Sequence, residues 1–399
     1  MPIKKTVFLA MAFAALAPLI SGGVANAQDK VIKIGQLGVM SGPAASWGLV
    51  NRYAAEAHAA MINAGGGWDV DGEKYRIEIV SIDDRNDPRT AIAGAERLIY
   101  QEGVKYIIGT NVDDTTQAIL PTLATGGAFA VSYGHTRSLF ETPNDNTGLG
   151  NIAGYQMSPI IYKFLVEDRG IKSVSFIARN DLNGLGNRDA GVEAAKALNL
   201  EIMSSNATYE AGTTDFFPVL SPLVRANPDM IVLSGVAPSD AGLLIRAARE
   251  LGYGGIISTE TAHDAAVLSE IAGEAANGFI SQGGASTPEI RTPYVEEFME
   301  NYTKVAGEWN DEAGTKIYAL EMILQTISAA GAEALTDVEA FKAAIPEVDL
   351  ENPFVIGGEP RLRWVGADWF GHPRQVSVPV VVNAFQDGAF ETLVVTSVE

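Results

Sequence analysis

The sequence predicts an α/β fold of two similar lobes, each a mainly parallel sheet flanked by helices. From Val31 onward, short apolar runs alternate with longer segments of helical period, which is typical of βαβ units. The pattern begins again after about residue 150, and 399 residues are enough for two domains. No low-complexity linker separates the halves, so we expect the lobes to be joined by short crossings.

The first lobe is predicted from strands and helices that alternate regularly. Its strand-like runs are "VIKIGQLGVM", "YRIEIVSID", "KYIIGT" and "FAVSY". Its helical segments are "NRYAAEAHAAMINA", which "GGG" ends, "PRTAIAGAERLIYQEG" and "TTQAILPTLAT". The second lobe repeats this order from "SPIIYKFLVEDRG" and "SVSFIAR" onward. A helical block with "EAGTKIYALEMILQTISAAG" follows, and the sequence is mostly of β type from Arg361.

Composition excludes several classes of partner. The chain is 47% hydrophobic and 19% charged, which predicts a large buried core rather than disorder. Its formal net charge of -21 repels nucleic-acid backbones and anionic lipid surfaces. We therefore expect no nucleic acid and no membrane surface among its partners.

The N-terminus has the pattern of a secretory signal. Lys4 and Lys5 precede the apolar run "TVFLAMAFAALAPLI", and small residues ending "ANAQ" predict cleavage after Ala27. An uncleaved anchor is the alternative. The chain has no cysteine, so a disulfide, a thiolate or a lipid on an N-terminal cysteine is not expected. These features predict an exported protein of the periplasm that is not lipid-anchored, with full secretion as the alternative.

Sequence motifs give little support for an enzyme. The phosphate-binding loop, the H-E-x-x-H zinc pair and the G-x-S-x-G elbow are absent, and four scattered histidines do not predict a metal site. The segment "NGLGNRDAG" misses the dinucleotide spacing, so no cofactor is expected. Ser132, His135 and Asp145 could be arranged as a hydrolase triad, but closeness in sequence does not establish geometry. We interpret His135 as a hydrogen-bonding residue of a loop.

Polar and aromatic residues recur where predicted strands lead into helices. In open α/β sheets ligands bind outside the carboxyl ends of the strands. Because such junctions occur in both halves, we expect a ligand to be held between two facing edges. The junctions are "SGPAASWG", "NVDDTT", "SYGHT", "NDLNG", "VAPSD" and "STETAHD".

Several of these segments resemble the periplasmic Leu/Ile/Val-binding proteins that serve ABC importers. The resemblance lies in "IKIGQLGVMSGPAASWG", "DDRNDPRTAIAGAERLI" and "LLIRAARELGYGGIISTE", and it runs from about Val31 to Gly283. It implies the type I two-lobed periplasmic-binding-protein fold, with three hinge crossings and closure around a ligand. It also implies an N-terminal lobe of residues 29–150 plus 287–371 and a C-terminal lobe of residues 151–286 plus 372–399.

The resemblance also implies ligand-binding residues. The aromatic residue of the S-G-P loop corresponds to Trp47, and the hydroxyl that helps to hold an amino acid's carboxylate corresponds to Asp113. The next contacts of the same lobe correspond to Gly134 and Thr136.

In the second lobe, the implied tyrosine is Asn183 and a later aromatic residue falls near Val236. Glu260 corresponds to the acid that meets the ligand's ammonium group. The chain departs from the family pattern at Asp113, Asn183 and Val236, and the resemblance implies that these positions determine ligand specificity.

The pair "DD" at the start of "DDTTQAIL" has two interpretations. Asp114 directly before "TTQAIL" is predicted to cap the helix, and Asp113 is predicted to face the cleft. Asp113 and Glu260 would then form an acidic pair that selects a ligand with a cationic or donor-rich group. The alternative is that Asp113 turns away or is neutralised by Arg137.

Together these observations predict a monomeric, non-catalytic substrate-binding protein of an ABC importer. It would capture a small polar, amino-acid-like solute and deliver it to a membrane permease. A secreted hydrolase and a chemoreceptor-coupled ligand sensor are the alternatives.

Overall fold

The computed structural model describes residue 1, residues 30–42 and residues 44–397. Apart from Met1, the predicted signal peptide of residues 1–27 lies outside the described residues. None of the helices described is long and apolar enough to span a membrane.

Strands and helices alternate along the chain, as predicted. The strands are β1 (Val31–Gly38), β2 (Trp68–Val70), β3 (Glu73–Asp83), β4 (Tyr106–Ile108), β5 (Phe129–Ser132), β6 (Thr147–Leu149), β7 (Ser173–Arg179), β8 (Glu201–Tyr209), β9 (Met230–Ser234), β10 (Ile256–Ala262), β11 (Ile280–Gly283), β12 (Asp349–Leu350), β13 (Leu362–Val365), β14 (Gln375–Val376), β15 (Pro379–Gln386) and β16 (Ala389–Ser397). The α-helices are α1 (Ala45–Ala64), α2 (Pro88–Glu96), α3 (Asp113–Gly126), α4 (Gly154–Arg169), α5 (Leu182–Ala197), α6 (Phe217–Ala226), α7 (Pro238–Glu250), α8 (Ala265–Ile271), α9 (Pro293–Ala306), α10 (Ile317–Ala330), α11 (Val338–Ala344) and α12 (Ala367–Phe370).

The strands of the described residues form two separate sheets. One has nine strands in the order β12-β13-β14-β6-β5-β4-β1-β3-β2, and the other has seven in the order β16-β15-β11-β10-β9-β7-β8. In the first sheet β1 pairs in parallel with β3 and β4, and in the second β9 pairs in parallel with β7 and β10. Antiparallel pairs lie toward the edges. The prediction of two mainly parallel sheets is therefore confirmed.

We call the nine-stranded sheet with its helices the first lobe, and the seven-stranded sheet with its helices the second lobe. The chain crosses between them after β6, after β11 and between β14 and β15. Buried amides join the crossings: Gln282 Nε2 donates to Asn151 Oδ1 at 3.0 Å, and Gln375 Nε2 donates to the Asn151 carbonyl at 3.0 Å. These bonds satisfy polar groups that the closely spaced crossings remove from water.

The predicted lobe boundaries, 29–150 plus 287–371 and 151–286 plus 372–399, stay a prediction. One boundary differs from the sheet pairing, because Gln375 pairs with Leu149 of the first lobe. By sheet membership, the third crossing therefore follows Val376 rather than residue 371.

Aromatic side chains fill the core of the first lobe behind its central strands. The ring of Phe341 on α11 lies 4.7 Å from that of Tyr106 and 5.1 Å from that of Phe129, centroid to centroid. All three side chains are buried. Helix α10 packs into the same apolar cluster and is buried along most of its length, so the segment before it is held firmly against the sheet.

Candidate ligand-binding site

A cavity of about 40 Å³ lies between the two lobes. It is bordered by segments that follow β1, β5, β6 and β7, which is the edge where open α/β sheets bind ligands. The lining residues are Trp47, Asn111, Tyr133, His135, Asn151, Asn183, Thr261, Glu312 and Lys316. Because most of these side chains are polar and both lobes contribute, the cavity is suited to a small polar molecule.

Asp113 does not face this cavity, which corrects the prediction. Its Oδ1 accepts hydrogen bonds from the backbone N–H groups of His135, at 2.5 Å, and Thr136, at 3.1 Å. Its Oδ2 accepts one from Thr136 Oγ1 at 2.9 Å. Both carboxylate oxygens are thus engaged by donors of His135 and Thr136. A Cβ on Gly134 would lie 2.6 Å from Asp113 Oδ1, so this close approach requires glycine.

The prediction that Asp114 caps the helix is also wrong. Helix α3 begins at Asp113, its N-cap is Val112, and no side chain caps it. Burial raises the pKa of Asp114, and the nearby carboxylate of Asp181 in the second lobe raises it further. Arg137 does not neutralise Asp113, because it pairs with Glu141 at 2.9 Å.

The two lobes touch beside the cavity. His135 Nδ1 lies 3.0 Å from Asn187 Oδ1, and burial lowers the pKa of His135, which favours the neutral ring. The Arg179 guanidinium lies 4.9 Å from the centre of a Trp47 ring, a cation–π geometry. These contacts join the two lobes beside the cavity.

Glu312 and Lys316 bring opposite charges to the cavity. Glu312 belongs to the 3-10 helix Asp311–Thr315, and Lys316 stands directly before α10. Lys316 Nζ lies 4.3 Å above the Tyr133 ring, while Glu312 Oε1 is buried without a hydrogen-bond partner among the described residues. Burial raises the pKa of Glu312 and lowers that of Lys316, and the attraction between the two opposes each shift.

Glu260 is buried beside the cavity at the end of β10. Its Oε1 accepts a hydrogen bond from the Gly235 N–H at 2.7 Å, and its Oε2 has no partner among the described residues. Burial raises the pKa of Glu260 to about 7. The next residue, Thr261, lines the cavity. Because both oxygens of Asp113 are engaged within its own lobe, and neither acid lines the cavity, Asp113 and Glu260 do not form the predicted acidic pair there.

The other predicted residues have different positions. Trp47 and Asn183 line the cavity, whereas Gly134 and Thr136 form the loop that holds Asp113. Val236 is fully buried in the apolar cluster of the second lobe. Which of these residues touches a ligand stays a prediction.

Sequence reasoning missed several lining residues. Asn111, Tyr133 and Thr261 lie within the junctions "NVDDTT", "SYGHT" and "STETAHD". The sequence therefore indicated the right segments but not these individual residues. Glu312 and Lys316 come from the helical block far along the chain and carry no local sequence signal. Within the described residues, His, Asp and Glu side chains do not cluster in threes that could hold a metal ion.

A larger cavity of about 310 Å³ lies beside the crossing that follows β11. Its lining includes His263, Thr287, Trp309 and Phe390. Its lining includes no residue from the segments that follow β1, β5, β6 and β7, which border the smaller cavity from both lobes, so the smaller cavity is the candidate ligand site.

Comparison with known proteins identifies the family. The profile described as "Periplasmic binding protein" matches residues 31–370. The chain belongs to this family. It is 28% identical over 267 residues to the Leu/Ile/Val-binding protein of Escherichia coli K12, covering 66% of this chain and 69% of that protein. It is 27% identical over 295 residues to a leucine-, isoleucine-, valine-, threonine- and alanine-binding protein of Pseudomonas aeruginosa, covering 70% of this chain and 73% of that protein.

Solved structures of periplasmic binding proteins share the fold. A branched-chain amino acid transporter substrate-binding protein from Streptococcus pneumoniae, in complex with isoleucine, has a TM-score of 0.78 at 21% identity, covering 92% of this chain and all 100% of that one. A solute-binding protein from R. palustris, in complex with 4-hydroxybenzoate, has a TM-score of 0.74 at 19% identity, covering 92% and 97%. These comparisons confirm the predicted type I fold and family. The relatives named here are binding proteins of the branched-chain amino acid type, and the chain is similar to them.

Proposed function

We propose that the protein is a periplasmic substrate-binding protein of an ABC importer, which captures a small polar, amino-acid-like solute and delivers it to a permease. The observation that carries the proposal is the polar cavity between the lobes, with Glu312 and Lys316 bringing opposite charges to it. Its relatives named as binding proteins for branched-chain amino acids support the same conclusion. The protein would be exported, cleaved after Ala27 and monomeric.

Capture would proceed by opening and closing of the lobes. A cavity of about 40 Å³ has room for about three water molecules, so a solute enters only when the lobes separate. Opening breaks the contacts His135–Asn187 and Arg179–Trp47, each contributing about 1 kcal/mol. A solute that contacts both lobes shifts the balance toward the closed form.

A ligand screen tests this function. We expect one solute among amino acids, amides, polyamines and aromatic acids to raise the melting temperature, because a solute that binds only the folded state adds about 2.7 kcal/mol at 100 times its Kd. The same solute should reduce the radius of gyration in X-ray scattering and be recovered unchanged. Conversion of the solute would favour the hydrolase alternative, and an unchanged radius at saturation would contradict closure.

Export and delivery have separate tests. N-terminal sequencing of the mature protein should begin at Gln28. Uptake of the solute by vesicles that contain the permease should require this protein. Retention of residues 1–27 on a membrane-bound form would contradict export as a cleaved protein. Signalling without uptake would favour the chemoreceptor alternative.

A further inference from the structure

The ammonium group of Lys316 forms no ion pair with another described residue. In the described part of the chain, no carboxylate oxygen lies within the 4.0 Å of Lys316 Nζ that defines an ion pair. Its contact is the face of Tyr133, 4.3 Å from Nζ to the ring centre. A ring face attracts a cation but does not replace a counter-ion. The cavity therefore presents a cation that is not neutralised by direct contact.

Glu312, four residues earlier, is the nearby acid. It lines the same cavity, and its Oε1 is buried without a partner in the described structure. Two opposite charges that are close but not in contact leave part of the cost of desolvation uncompensated. A molecule placed between them could compensate both, with an anionic group at Lys316 and a hydrogen-bond donor at Glu312.

The other groups that could hold an anion are occupied. The N–H groups of His135 and Thr136 donate to Asp113, so they are not free for a solute carboxylate. His135 is held near Asn187, and burial favours its neutral form. Arg179 is bound by Asp181 and lies over Trp47. Among the described residues that line the cavity, Lys316 is left as the counter-ion for an anion.

From this arrangement we infer that the solute carries a carboxylate, which binds Lys316 Nζ, and an adjacent N–H or O–H donor, which faces Glu312. This inference rests on the proposed function and adds a chemical class to it. It assigns solute selection to the segment before α10, outside the strand-end junctions that the sequence indicated. It also differs from the expectation that Asp113 and Glu260 select a cationic or donor-rich group, because Asp113 is hydrogen-bonded within its own lobe.

Acetate and acetamide test the inference, because they have nearly the same shape and differ in charge. We would measure the melting temperature against each compound, with sodium chloride used to keep ionic strength constant. Wild type should bind acetate about ten-fold more tightly than acetamide, as expected for one charge-assisted hydrogen bond. Lys316→Met should bind the two compounds equally, and Lys163→Met, which changes an exposed lysine of α4, should behave as wild type.

Further variants guard against misfolding. Lys316→Arg keeps the charge and should keep the preference for acetate, and Lys316→Gln replaces Lys316→Met if the latter does not fold. The inference is wrong if wild type does not distinguish acetate from acetamide, or if the preference survives in Lys316→Met or Lys316→Gln. A tightly bound solute without a carboxylate would contradict the inference but support the proposed function. A preference for acetate without any captured solute would support the inference and contradict the proposed function.

Discussion

Two buried acids of the first lobe differ in how their carboxylates are paired: Glu312 lines the cavity between the lobes, and Asp113 does not. Asp113, at the start of α3, is 1% exposed and accepts three hydrogen bonds from His135 and Thr136. Glu312, before α10, is 2% exposed, but its Oε1 has no partner among the described residues. Burial is nearly the same for both, so the two acids differ in the number of hydrogen bonds that their carboxylates accept.

The difference follows from what each acid meets when the chain folds. The loop after β5 presents consecutive backbone N–H groups to Asp113, and these are donors that bind a carboxylate strongly. Glu312 instead lies where two lobes meet, in a 3-10 helix whose own backbone groups are already paired.

The largest effect is expected at Asp113. Asp113→Ala removes the acceptor of two buried N–H groups and one hydroxyl, so the free energy of unfolding should fall by about 4 kcal/mol. Urea denaturation measures this. Asp114→Ala is the matched control, since Asp114 is less buried and caps no helix, and it should cost less than about 1 kcal/mol. Equal losses in the two variants would mean that Asp113 is not the acid that holds the loop.

Glu260 is an intermediate case, because one of its oxygens is bonded and the other is not. Burial raises its pKa from 4.5 to about 7, so the folded state keeps the proton over a range in which the unfolded state has lost it. Stability is therefore full below about pH 4.5 and falls as pH rises to 7. Relative to Glu260→Gln, which cannot titrate, wild type should lose about 3 kcal/mol across this range.

Denaturation at several pH values measures the Glu260 effect. Subtracting the curve of Glu260→Gln removes the contributions of other buried groups, such as Asp84, whose pKa burial raises to about 6. A difference between wild type and variant that stays constant with pH would show that Glu260 is ionised in the folded protein.

Much of the fold could be predicted from the sequence, because hydrophobic periodicity and strand-to-helix junctions depend on local order. Of the predicted ligand-binding residues, Trp47 and Asn183 line the cavity, and their contact with a ligand stays a prediction. Correspondence to a family gives a residue's position but not the direction of its side chain. The direction of Asp113 depends on N–H groups about twenty residues away, and Val236 turns into the apolar cluster. Lys316 reaches the cavity only through tertiary packing.

Trp47 tests how much an uncharged side chain contributes to binding, since it lines the cavity without carrying charge. Trp47→Ala should weaken binding of the captured solute about five-fold, which corresponds to about 1 kcal/mol of lost aromatic contact. Calorimetry measures this, and Trp47→Phe, which keeps a ring face, should lose less than half as much free energy. Unchanged affinity in both variants would mean that Trp47 serves mainly to pack against Arg179.

The smallest effect on stability is expected at Glu312, although Glu312 is as buried as Asp113. Glu312→Gln keeps the shape and removes a buried charge whose Oε1 has no hydrogen bond to lose. The variant loses the attraction to Lys316 but no longer carries the cost of desolvating a charge. Because these two effects often offset each other for buried charges, the free energy of unfolding should change by less than about 1 kcal/mol. Urea denaturation, in parallel with Asp113→Ala, makes the measurement. If Glu312→Gln destabilises the protein as much as Asp113→Ala does, Glu312 holds the fold, and its unpaired oxygen does not mark a place for a ligand.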